Sequence, residues 1–141
     1  MGRRAARETA MKLLYQLEIQ KDDREQQIQY TLEEEEFTEN DRVYINEVID
    51  GVHKKLEDID KLVEMHAKGW KINRISKVDL SILRLSIYEM NFREDIPFNV
   101  SINEAVELAK KYSNEDAGAF VNGILGKVSR ASAIPAEGSK E

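Results

Sequence analysis

Residues 97–128, PFNVSINEAVELAKKYSNEDAGAFVNGILGKV, read as two consecutive amphipathic helices joined by a tight, acidic junction. Ser101 and Glu104 spell S-x-x-E, a capping box that predicts a helix start at Ser101. Ile102, Ala105, Val106, Ala109 and Tyr112 then share one helical face. A second start follows at Ser113-Asn114-Glu115-Asp116, where acids suit the positive end of a helix. Phe120, Val121, Ile124, Leu125 and Val128 continue the next apolar stripe. Gly118, Gly123 and Gly126 each cost a helix about 1 kcal/mol against Ala, which suggests that a backbone or a ligand comes close there.

The same pattern extends outward through a chain of 141 residues, enough for one domain with a real core. Two prolines and no alternating strand run predict an all-α protein: a compact bundle of about seven helices in two sub-bundles. Residues 1–132 form a single domain on this reading, and 133–141 a disordered tail. The fifth helix, Arg74 to Phe92, is apolar on nearly every side and belongs at the centre of the bundle. Arg84 and Glu89 within it need partners, because an unpaired buried charge is costly. Thr38 reads as an N-cap, and Gly51 as a close helix crossing.

No cysteine is present, which excludes disulfides and thiolate metal sites. No apolar run reaches the roughly 18 residues of a membrane span. The expectation is a cytoplasmic chain with no membrane association and no cofactor. His53 and His66 lack ligand-like neighbours, so no metal site is expected. No catalytic signature occurs, and the chain is not expected to be an enzyme. The net charge of −6 argues against general nucleic-acid binding, but its distribution is uneven. Residues 1–21 carry +3, residues 22–64 carry −10, and residues 65–141 carry +1. A basic start on an acidic body suggests a local anion-binding patch.

Single-stranded RNA is bound by stacking bases and neutralising phosphates. The candidates are Arg3, Arg4 and Arg7 for phosphate, His66 and Phe120 as stacking faces, and Asp116 or Asn122 at base edges. Each has a plainer alternative: a solvated helix start, a packed helix end, a core phenylalanine, a helix cap. The lone Trp70 reads as core or rim packing.

INEAVELAKKYSNEDAGAFVNGILGK (102–127) resembles the C-terminal signature of the bacterial NusB family of transcription antitermination factors. Arg3 to Tyr15 and Leu83 to Glu89 resemble its N-terminal and central motifs. The resemblance implies an RNA-binding factor that takes the boxA element of ribosomal RNA transcripts together with NusE, a small-subunit ribosomal protein, in an RNA polymerase elongation complex. It places RNA contacts on Arg3, Arg4, Arg7, Asp116 and Phe120, and on His66 where the family has an aromatic residue. It places partner contacts on Tyr15, Asp79 and Glu89. The N-terminal modules of RNA cytosine methyltransferases share the signature. A methyltransferase proper needs a further catalytic domain, which is not expected in a chain ending at Glu141. A bundle that binds only protein is the other alternative.

Overall fold

The computed structural model describes the backbone of residues 2–139 and the side chains of residues 2–131. The tail expected at 133–141 falls where no side chain is described. Seven α-helices and one 3₁₀ turn make up the described residues: α1 (Arg3–Ile19), α2 (Arg24–Glu34), α3 (Glu39–Lys54), α4 (Leu56–His66), a 3₁₀ turn (Ile72–Arg74), α5 (Lys77–Phe92), α6 (Phe98–Tyr112) and α7 (Glu115–Ser139).

Helix α5 is the axis. Every residue from Leu80 to Met90 is buried, as its all-round apolar character requires. Helices α1 and α3 pack on it from one side, with α2 held against α1. Helices α4, α6 and α7 cover it from the other, and α6 lies along α7. Leu80, Ile82, Leu83, Leu85 and Ile87 are at most 1% exposed. Each contributes about 1.5–3 kcal/mol by leaving water.

Local signals set several boundaries. Thr38 Oγ1 accepts from the Asp41 amide at 3.2 Å and starts α3. Ser76 Oγ does the same for the Asp79 amide at 3.1 Å, so α5 begins at Lys77 rather than Arg74. Gly69 turns the chain after α4 at φ +79°, a conformation that disfavours any side chain. Gly51 sits under the Tyr88 ring, where a Cβ would lie 2.2 Å from a ring carbon. The helix crossing expected there exists, with a side chain rather than a backbone filling the space.

The capping box at Ser101 does not form. Helix α6 starts a turn earlier, at Phe98, with Pro97 at the cap position. Ser101 is fully buried inside that first turn, and its hydroxyl donates to Glu89 Oε1 at 2.7 Å. Glu104 faces Arg4 instead of the helix start. Both side chains were claimed by tertiary partners whose demands outweigh a local cap.

Candidate nucleic-acid interface

The three arginines at the head of α1 have separate fates. Arg4 points outward, with its side chain 78% exposed. Its Nε and Nη2 donate to the two carboxylate oxygens of Glu104 at 3.0 and 2.7 Å. Arg3 is half-exposed; its Nε donates to Asp41 Oδ1 at 3.0 Å, and its guanidinium lies 4.3 Å from the Tyr44 ring centre. Arg7 is buried, and its Nε donates to Glu89 Oε2 at 2.9 Å.

Arg7 and Glu89 therefore require correction as contact residues. Glu89 is 0% exposed and accepts from Arg7 on α1, Tyr44 on α3 and Ser101 on α6. Its carboxylate ties four helices together and meets no partner on the surface. Burial, followed by the charge of Glu89, pushes the Tyr44 hydroxyl well above its ordinary value, so it stays a donor. Arg84 is satisfied in the same manner, between Asp60 (2.9 and 2.8 Å) and Glu18 (2.8 Å).

Asp116 and Phe120 come together in a cleft of about 350 Å³ beside the start of α7. Trp70 and Arg74 from the linker, and Asp79 from the start of α5, complete its walls. Trp70 is 48% exposed and meets Phe120 edge-on, with ring centres 6.0 Å apart. The two rings give the cleft an apolar wall of the kind on which a flat group packs. Asn114 caps α7, its Oδ1 accepting from the Ala117 amide at 2.7 Å. Asp116 is exposed and is not the capping residue.

The opposite side of α7 forms a polar groove with α6. Arg4, Asn103, Glu104, Lys110, Gly118 and Asn122 line it. Asn122 thus accompanies the arginine arm and not the aromatic cleft. Gly118 faces the Lys110 side chain, whereas Gly123 faces open space.

His66 ends α4 and does not line the cleft. Burial and then the charge of Lys127 lower its pKa, favouring neutral imidazole. Its Nε2 is buried without a hydrogen-bond partner, and so is Asp79 Oδ1. They are the two such side-chain atoms among the described residues. Burial raises the Asp79 carboxyl above its ordinary range, against a lowering bond from Ser76. Tyr15 is 37% exposed on α1.

Trp70 and Arg74 are members of the cleft that sequence reasoning did not place there. The available signal was a lone Trp following Gly69, at a point where the chain turns away from the core. Among the described residues, no group of three His, Cys, Asp or Glu could hold a metal ion. No described helix is long and apolar enough to cross a membrane.

These features define a class: an all-helical bundle built on one buried central helix, with an arginine-bearing helix start and an aromatic cleft on its surface. The NusB family model matches residues 4–130, and the chain belongs to the NusB family. It is 66% identical over 139 residues to a protein of Ruminiclostridium cellulolyticum named transcription antitermination protein NusB, covering 99% of this chain and 95% of that one. A protein of the same name from Acetivibrio thermocellus is 63% identical over 140 residues, covering 99% and 97%. The structure of T. maritima NusB superposes with a TM-score of 0.86 at 38% identity, covering 92% of each chain. A structure described as antitermination factors NusB and NusE in complex with dsRNA gives 0.83 at 29% identity, covering 92% of this chain and 96% of that one.

Proposed function

We propose that this chain is an RNA-binding transcription antitermination factor. It takes a single-stranded boxA-like element together with NusE, and works in the RNA polymerase elongation complex of the bacterial cytoplasm. Its role is non-catalytic: it presents a surface and positions RNA on it. The observation that carries this reading is the aromatic cleft, where Trp70 and Phe120 offer a wall to a flat group and exposed Asp116 a polar edge. His66 Nε2 and Asp79 Oδ1, buried without a protein partner, add support as places that a water, a ligand or a partner completes. Both residues are where the family resemblance implies contact.

RNA contacts are assigned to Arg3, Arg4, His66, Asp116 and Phe120, and partner contacts to Tyr15 and Asp79. Trp70 joins Phe120 in offering a stacking wall. With Arg7 committed to Glu89, at most two arginines of the arm neutralise phosphates. The salt slope from the arm is then no steeper than about −1.4, at about −0.7 per contact with a single strand. An arm this small on an acidic body explains dependence on a second protein.

The test is fluorescence anisotropy of a short boxA RNA, with and without NusE, across salt. Phe120→Leu is expected to weaken binding by about 1–3 kcal/mol while leaving the thermal midpoint nearly unchanged. A variant that melts earlier yet binds RNA normally returns Phe120 to a packing role and removes the cleft from the interface.

A further inference from the structure

Both exposed arginines of the arm are already paired in the free protein: Arg3 with Asp41 and Arg4 with Glu104. The Arg4 pair is bidentate, and Glu104 also stands 3.8 Å from Arg7 Nη1. The surrounding groove adds Glu107 and Glu115 against Lys110. Arg4 therefore sits in a setting whose net charge repels phosphate.

We infer that Glu104 is an internal competitor for RNA phosphate at Arg4, and that it holds down the sequence-independent affinity this protein has for any polyanion. This rests on the RNA-binding reading above.

A guanidinium has five N–H donors, and Glu104 occupies two of them. A phosphate can still reach the free edge. It arrives, however, at a cation whose charge a carboxylate has cancelled, and it feels that carboxylate at close range. A strand that offers nothing but phosphates gains little from this arm. A strand that also fills the aromatic cleft overcomes the competitor with contacts made elsewhere. Glu104 thus subtracts from the part of binding common to all polyanions and leaves the part read by Phe120, Trp70 and Asp116 intact. The competitor is ionised at neutral pH. The hydrogen bond from Arg4 holds its carboxyl below the ordinary carboxylate range, and burial opposes this without reversing it.

Glu104→Gln keeps the shape and an acceptor for Arg4 while removing the charge. Binding of boxA RNA and of a scrambled strand of equal length is measured by anisotropy across salt, with NusE saturating. The variant is expected to bind the scrambled strand about 3- to 10-fold more tightly at low salt. Its salt slope becomes steeper by about 0.7, the value of one recovered phosphate contact. BoxA tightens by the same factor, so the ratio between the two strands is unchanged. Glu107→Gln, in the same groove without the bidentate pair, changes both values much less. Glu104→Asp, too short to hold both nitrogens in place, shifts them in the same direction by a smaller factor. Equal or weaker binding by Glu104→Gln with an unchanged slope overturns the inference and makes Glu104 a positioner of Arg4. An equal effect from Glu107→Gln overturns it too, by making general charge the cause. Absence of salt-dependent RNA binding in the unaltered protein is a different failure, that of the RNA reading itself.

Discussion

Arg7→Ala and Arg4→Ala differ by one turn of α1 and are expected to differ by several kcal/mol. Removing the Arg7 guanidinium leaves Glu89, fully buried, with the Tyr44 and Ser101 hydroxyls and no cation. Breaking a buried pair by deleting one member costs about 3–5 kcal/mol, because the remaining charge stays in a poor solvent. Arg4 loses an exposed, solvent-screened pair that contributes little to stability. Against a total stability of about 5–15 kcal/mol, the first change removes a large fraction and the second very little. Urea unfolding followed by far-ultraviolet circular dichroism measures both. With a slope of about 1–3 kcal/mol per molar urea, Arg7→Ala moves the midpoint down by about 1–5 M. Arg7→Met combined with Glu89→Leu removes the orphaned charge but leaves the Tyr44 and Ser101 hydroxyls without their acceptor, so it is expected to recover only part of that loss. A midpoint shift for Arg7→Ala no larger than for Arg4→Ala would refute the assignment of Arg7 to the core and return it to the arm.

Three further outcomes are expected. Gly51→Ala gains about 1 kcal/mol of helix propensity but drives a Cβ into the Tyr88 ring, so thermal melting should show net destabilisation of about 1–2 kcal/mol; an unchanged midpoint would mean the ring swings away freely. Asp79→Ala removes an unpartnered buried oxygen, worth about 1–3 kcal/mol, and forfeits about 0.3–1 kcal/mol of helix-dipole interaction; stability in a chemical melt should rise while NusE binding by calorimetry falls. The Glu18 carboxyl is held below its ordinary 4.5, burial being outweighed by bonds to Arg84 and Lys77. A lowered folded pKa contributes stability that is present above about 4.5 and lost as pH falls through the folded value. Glu18→Gln should therefore flatten the acid limb of a stability-against-pH curve, and an equally steep limb would show that other carboxylates dominate it.

The parts of the fold that were legible are those where local pattern and tertiary demand agree. Helix α5 is apolar all round and is buried all round. Arg84 and Glu89 within it needed partners, and each has them. The Thr38 cap formed where its spacing placed it. The Ser101–Glu104 box satisfied the local pattern equally well, yet Glu89 and Arg4 took its two side chains. One of those partners lies twelve residues away and the other a hundred, beyond the reach of any local rule.

Arg7 was readable in part. It stands three residues before Ala10 and seven before Leu14, both on the apolar face, so helical periodicity already turned it inward. Reading three arginines as one arm obscured that rotation. Asp116 and Phe120, one turn apart, were brought together as their spacing required. Trp70 and Arg74 reach the same cleft from a linker, and linkers carry no periodicity from which direction can be read.

Trp70 is the chain's one tryptophan, half-exposed at the edge of Phe120. This gives the protein a built-in optical reporter. A base or a partner side chain entering the cleft changes the polarity around the indole, so emission wavelength and quenching follow occupancy without any label. The same ring stands outside the α1–α3 core. Its signal can therefore separate events at the cleft from loosening around Glu89, two processes that a global measure of helix content would merge.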